Sequence, residues 1–99
     1  MTLDPRKELE QDSLLWQAVL GCASAYKDKQ IYGNLHGFRC SGARLILKEN
    51  ILTLQLSSEW DDATKKEMKQ KYIVPCLAQI KTIFKFVAEH YNKQQDFFN

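Results

Sequence analysis

The chain has 99 residues, of which 44% are hydrophobic and 26% charged, and its formal net charge is +2. This length and composition are typical of one globular domain, and they exclude a disordered tail and a membrane span. The small positive charge also falls short of the basic excess found in most nucleic-acid-binding proteins.

The first predicted element is a helix. Asp4 and Pro5 have the form of an N-cap followed by proline at the first helical position, where a missing N–H costs nothing. An apolar stripe at helical spacing follows, and Trp16 widens it. We expect residues 1–12 to be an arm or an extension of this helix, and residues 13–92 to form the domain. The stripe consists of Leu15, Val19, Cys22 and Tyr26.

A short second helix and a β-hairpin are predicted next. Ile31, Tyr32, Leu35 and Phe38 recur at helical spacing. From Arg44 the apolar period changes to two, which predicts a pair of strands joined by a three-residue connection, residues 48–50, with a positive φ at its last position. The leucines that would share the buried face are Leu45, Leu47, Leu52, Leu54 and Leu56.

A long helix is predicted to complete the chain. Ser58 and Asp61 have the spacing of a capping box, which would place Trp60 in the first helical turn. The apolar stripe then continues to Tyr91 and is interrupted by Pro75, where we expect a kink. Residues 93–99 are predicted to be a frayed tail. The order of elements predicts an α+β fold with the hairpin packed on the helices.

No catalytic or cofactor motif is present. Gly37 and Gly42 have the spacing of a phosphate-binding loop, but no lysine follows them. His36 and Cys40 could share a helix face near other ligand-type residues, but no paired short spacing supports a zinc site. We therefore expect no enzyme activity, no metal and no cofactor. The other ligand-type residues are His90, Cys22 and Cys76.

The sequence also indicates the cellular compartment. The N-terminus lacks the apolar core of a secretion signal. Three scattered cysteines form no disulfide pattern, which favours a reducing compartment. We expect a cytoplasmic protein, in a bacterium or its host.

Two stretches carry a resemblance to a known family. "SLLWQAVLGCAS" at residues 13–24 and "NILTLQLSSEWDDATKKEMKQKYIVPCLAQI" at residues 50–80 resemble the N-terminal domain of the bacterial replication initiator DnaA. Related patterns occur in the C-terminal region of the DNA polymerase III tau subunit and in the helicase-loader family DciA. The resemblance spans residues 13 to about 84, and the order of the motifs carries it.

The resemblance implies a KH-like fold that does not bind nucleotides and that docks replication proteins, including the replicative helicase. Trp16 matches the tryptophan of the family's first helix, and Trp60 matches an aromatic residue that helps contact the helicase. Tyr32, or Ile31, lies near another family contact on the second helix. The chain lacks the initiator's ATPase motifs, so the resemblance implies a docking module and not an initiator.

Trp60 is the main candidate for a partner contact. At the start of a helix its side chain would lie over the preceding strand and stay partly exposed. A rigid aromatic ring flanked by the acids Glu59 and Asp61 suits an interface hot spot. The alternative is that Trp60 covers the leucine face of the hairpin, just as Trp16 could belong to the core.

Two other functions stay open at this stage. Arg39, Arg44 and Lys48 could form a basic face that binds nucleic acid. The last helix also carries more apolar residues than one hairpin can cover, which allows a homodimer. These residues are Phe84, Phe86, Val87 and Tyr91.

Overall fold

The computed structural model describes the backbone of residues 5–98 and the side chains of residues 5–91. Helices α1 (Pro5–Ser24) and α2 (Lys29–Cys40) precede strands β1 (Arg44–Lys48) and β2 (Ile51–Gln55). Helix α3 (Asp62–Met68), a π-helical turn (Lys69–Ile73), a 3₁₀ turn (Val74–Cys76) and helix α4 (Leu77–Phe98) complete the chain. The predicted α+β fold is confirmed.

The two strands form the predicted antiparallel hairpin. Leu45 lies opposite Leu54 and Leu47 opposite Leu52, so all four leucines share one face. The connection is shorter than predicted: Lys48 pairs with Ile51, and only Glu49 and Asn50 form the turn. Both turn residues have positive φ, 52° and 66°. A tight turn of this kind matches the right-handed twist of the strands, which explains why two residues replace the predicted three.

The last helical region changes its winding near Pro75, as predicted. Pro75 has no N–H to give to the carbonyl four residues earlier, so the α-helical ladder cannot pass through it unchanged. The chain responds with the π-helical turn before Val74 and the 3₁₀ turn that contains Pro75. In the π-helical turn the Val74 N–H bonds the Lys69 carbonyl. Regular α-helix resumes at Leu77.

One hydrophobic core joins the helices to the leucine face of the hairpin. Trp16 lies within this core: it is 0% exposed and donates its indole Nε1–H to the Ala43 carbonyl at 3.2 Å. This bond ties α1 to the residue before β1. Among the described residues no buried side-chain nitrogen or oxygen lacks a partner. The largest fully buried side chains are Trp16, Leu15, Ile31, Leu35, Ile83, Val19 and Val87.

The predicted subdivision of the chain stays a prediction. Helix α1 already begins at Pro5, and residues 5–10 are exposed. The predicted tail, residues 93–99, has side chains outside the described part of the chain. In the part that is described, no helix is both long and apolar enough to cross a membrane.

Candidate functional site

The junction between β2 and α3 differs from the predicted capping box. The Ser57 hydroxyl accepts the Glu59 N–H at 3.2 Å, and the Ser57 carbonyl accepts the Trp60 N–H at 3.2 Å, so residues 57–60 form a turn. Asp61 is the N-cap, and its carboxylate accepts the Thr64 N–H at 2.7 Å. The prediction that Trp60 lies in the first helical turn is therefore wrong, because a later residue caps the helix.

Trp60 projects from this turn onto α2. Its ring meets the ring of Phe38 edge to face, with 6.3 Å between the centroids and 65° between the planes. Phe38 meets Tyr72 in the same way, at 6.2 Å and 84°. Pairs of this geometry are favourable beyond the area that they bury. Phe38 is buried while Trp60 and Tyr72 are half-buried, so the trio runs from the core to the surface.

Hydrogen bonds to the π-helical turn hold the backbone of Tyr72, the third aromatic residue of this trio. Tyr72 lies in the π-helical turn, and its carbonyl accepts a hydrogen bond from the Asn34 side-chain Nδ2–H at 3.0 Å. The Cys76 thiol donates to the same carbonyl at 3.4 Å. Asn34 therefore clamps α2 to the kink that Pro75 imposes. Single π-helical turns of this kind are frequent at functional sites.

An open cleft of about 330 Å³ lies between α2 and α3, and we call it the Trp60 cleft. Its volume is at the lower end of the range for ligand pockets, about 300–1,000 Å³. Gly37 contributes no side chain to it, and a Cβ placed there would meet no atom within 4 Å. The cleft is lined by Asn34, Gly37, Phe38, Ser41, Trp60, Met68 and Tyr72.

Charged residues neighbour two of the aromatic rings that line the Trp60 cleft. Glu59 and Asp61 are exposed on either side of Trp60 in the chain. Lys71 places its Nζ over the Tyr72 ring, 5.3 Å from the centroid. Hydrogen bonds from the Thr64 side chain and then from the Thr64 backbone hold the pKa of Asp61 below its usual value.

Asp61 is expected to make the stability of the domain depend on pH. A carboxylate with a lowered pKa in the folded chain contributes stability above its unfolded pKa of about 3.9, and that stability is lost as the pH falls through the folded pKa. Asp61→Asn keeps a capping oxygen but removes the charge. The melting temperature of wild type should therefore exceed that of Asp61→Asn at neutral pH, and the excess should shrink below about pH 4. An excess that is independent of pH would contradict this assignment.

Of the predicted partner contacts, all of which the structure describes, only Trp60 lines the Trp60 cleft. Trp16 is wholly buried, so a partner cannot touch it while the domain keeps this fold. Tyr32 is 37% exposed and stacks on His36, with 5.9 Å between the ring centroids. It lies about 160° around α2 from Asn34, on the other side of the helix. Glu59 and Asp61 neighbour Trp60 in the chain but do not line the cleft, and Tyr32 is separated from it.

The predicted basic residues do not line a single groove. Arg44 is exposed and lines a polar groove of about 760 Å³ between the outer face of the hairpin and α3, together with Lys65, Lys69 and Glu59. Lys48 is exposed at the turn end of β1, and Arg39 is half-buried on α2. Neither lines that groove. The basic residues that line the groove with Arg44 are Lys65 and Lys69.

Two of the candidate metal ligands lie next to each other on α2. His36 and Cys40 are in contact, with 3.7 Å between Nδ1 and Sγ. Within the described residues no group of three ligand-type side chains could hold a metal ion. All three cysteines are free, and burial raises the pKa of Cys22 and of Cys76.

The apolar residues of α4 are divided between the core and the surface. Val87 is buried, and Phe84 and Tyr91 are half-buried. Phe86 is 53% exposed and stacks on His90, with 5.1 Å between the ring centroids. A homodimer through this helix stays a prediction, which sedimentation over a range of concentrations would test.

The sequence did not identify most residues of the Trp60 cleft as site residues. The sequence predicts Phe38 and Tyr72 only as members of apolar helix stripes, Tyr72 within the stripe that runs to Tyr91, and it assigns Asn34 and Gly37 to no site. Three aromatic residues on separate elements are a weak signal, because stripes at helical spacing usually belong to the core.

Comparison with protein-family models, with curated proteins and with solved structures finds no match to this chain.

Proposed function

We propose that the domain is a non-catalytic module that binds a protein partner through the Trp60 cleft. The observation that carries this proposal is the half-buried Trp60, held edge to face by Phe38 beside an open cleft. Binding energy at protein interfaces concentrates in a few aromatic residues set in well-packed pockets. A ring held by its neighbours loses little conformational freedom when a partner covers it.

The resemblance to the DnaA N-terminal domain suggests the class of partner. In that family an aromatic residue at the position of Trp60 helps contact the replicative helicase. We therefore propose a DNA-replication or DNA-processing protein as the partner, with the replicative helicase as the first candidate. Glu59 and Asp61 favour a partner that presents basic residues around an apolar side chain.

Affinity capture from the native cell, with wild type and Trp60→Ala side by side, tests this proposal. The replicative helicase is expected among the proteins captured by wild type and to be absent with Trp60→Ala. Identical sets of captured proteins would contradict the role of Trp60. If the captured proteins depended on Trp60 but did not include the helicase, the docking function would stand and the helicase would be ruled out as the partner.

Nucleic-acid binding is a second candidate, favoured by one observation. Arg44, Lys65 and Lys69 line one polar groove, with Glu59 as its acidic member. Three phosphate contacts predict that affinity falls about 20- to 40-fold between about 50 mM and 200 mM salt. Titration of single-stranded and duplex DNA at these two salt concentrations would show that fall, whereas an apolar interface at Trp60 predicts little binding to DNA at either.

A further inference from the structure

The two outer edges of the hairpin are treated differently by the rest of the domain. Each strand has a helix packed against it, α1 on β1 and α4 on β2, but only on the β1 side does a described side chain bond the outer edge: the Asp12 carboxylate of α1 accepts the Leu45 N–H at 2.7 Å. While Asp12 holds the Leu45 N–H, a partner strand cannot bond that group. Natural proteins cover strand edges for this reason.

The outer edge of β2 carries unpaired backbone groups. In a two-residue hairpin the residues that flank the turn form a hydrogen-bonded pair, and such pairs alternate along the strands. Lys48–Ile51 is therefore a bonded pair, whereas Leu47–Leu52 and Leu45–Leu54 point their backbone groups outwards. The bond from Leu45 to Asp12 agrees with this alternation. Among the described residues no corresponding group bonds the outward N–H of Leu52 or Leu54.

An apolar groove of about 610 Å³ runs along this edge, between β2 and helical residues 69–88, and we call it the β2 groove. Consecutive residues of β2, from Ile51 to Leu54, line it. Because neighbouring residues of a strand point to opposite faces, they can share a groove only where it follows the strand edge. Large apolar side chains are open to solvent here: Ile51 is 65% exposed, Val74 50% and Leu77 38%.

The charge around the β2 groove has one sign. Lys69, Lys81 and Lys85 line it, and no Asp or Glu does so among the described residues. An apolar surface bordered by amines favours a partner that combines apolar side chains with carboxylates. A second copy of the domain, paired edge to edge, would bring the lysines of both copies together and is disfavoured by their repulsion.

We propose that an acidic, extended segment of a partner protein adds to β2 as a third strand of the sheet. Its backbone would bond the outward N–H and C=O groups of Leu52 and Leu54. Alternate apolar side chains would lie against Leu77 and Ile73, and flanking acids would face Lys81 and Lys85. This surface is separate from the Trp60 cleft, so the two proposals can fail independently.

A capped synthetic peptide, Asp-Asp-Val-Thr-Val-Thr-Val-Asp-Asp, is the probe for this proposal. Its valines share one face when it is extended. The full chain is titrated with it, and hydrogen exchange is followed at the Leu52 and Leu54 amides. Both amides are expected to exchange at least about tenfold more slowly with saturating peptide. No binding, or binding without protection of these two amides, would overturn the proposal.

Two methylated peptides separate strand addition from other modes of binding. One carries N-methyl groups on the valine amides and the other on the threonine amides, so each blocks one edge of the extended peptide. Strand addition predicts that one of them binds about tenfold or more weakly while the other retains its affinity. Weaker binding of the peptide that is methylated on its valine amides would indicate antiparallel pairing, because in that arrangement the valine amides bond β2. Equal affinity of the two methylated peptides would overturn strand addition.

Charge reversal supplies the matched control. Lys81→Glu with Lys85→Glu should weaken binding of the peptide about three- to thirtyfold. Lys27→Glu with Lys66→Glu changes the net charge equally at exposed lysines outside the groove and should leave affinity unchanged. Trp60→Ala should also bind the peptide like wild type. Equal weakening of peptide binding by the two lysine pairs would overturn the assignment of the acids to this groove. If the Leu52 and Leu54 amides became protected without peptide as the protein concentration rises, the occupant would be a second copy of the domain, and the proposal would also be overturned.

Discussion

Replacing Trp16 by alanine is expected to lower the free energy of unfolding by about 3–5 kcal/mol, the range for removing a large aromatic side chain from a core. Trp16 has no exposed surface, and its indole N–H holds the Ala43 carbonyl. The substitution removes both the packing and the bond between α1 and the start of the hairpin. Since small domains are stable by only about 5–15 kcal/mol, this loss is a large share of the total, and the variant should unfold at a clearly lower temperature than wild type.

Urea unfolding followed by circular dichroism measures this effect. Trp16→Phe is the graded control, because it keeps an aromatic ring but leaves the Ala43 carbonyl without the indole donor. Its free energy of unfolding should lie between those of wild type and Trp16→Ala. If Trp16→Ala unfolded at the same urea concentration as wild type, the position of Trp16 in the core would be contradicted.

Replacing Trp60 by alanine is expected to weaken partner binding by about 30-fold or more, which corresponds to the loss of about 2 kcal/mol at a hot spot. The half-buried ring offers the partner a surface already positioned by Phe38. Its loss should destabilise the domain less than the loss of the wholly buried Trp16. A binding titration with the captured partner, at a temperature where both proteins are folded, gives the ratio of dissociation constants.

Leu14→Ala is the control for the substitution of Trp60. Leu14 is a large apolar residue of α1 that is 53% exposed, and it lines neither the Trp60 cleft nor the β2 groove. This variant should bind the partner of the Trp60 cleft as wild type does. If Leu14→Ala and Trp60→Ala weakened that binding equally, general loss of apolar surface would account for both effects.

The fold was predictable from the sequence because its signals are local. The change of apolar period at Arg44 is a property of neighbouring residues, as is the effect of Pro75 on the helix that contains it. The positive φ of Asn50 was also predictable, because asparagine tolerates that conformation. The shorter turn was not, because Glu49 adopts a positive φ that its residue type does not favour.

The Trp60 cleft was less predictable because its members come from distant parts of the chain. The bond from Asn34 to the Tyr72 carbonyl spans 38 residues, and nothing near either residue indicates the other. The start of α3 was misplaced for a local reason, since two acceptable caps, Ser58 and Asp61, compete within four residues. The Ser57 turn decides between them, and it moves Trp60 out of the helix to a position beside Phe38.

The affinity of Gly37→Leu for the captured partner, compared with that of Gly21→Leu, tests whether the Trp60 cleft is the docking surface. Both glycines lie inside helices with no atom within 4 Å of an added Cβ, so both substitutions should stabilise the domain, by about 1 kcal/mol or less. Only Gly37 lines the cleft. We expect Gly37→Leu to bind at least about tenfold more weakly while Gly21→Leu binds like wild type. Equal affinity of the two variants would contradict docking through the cleft.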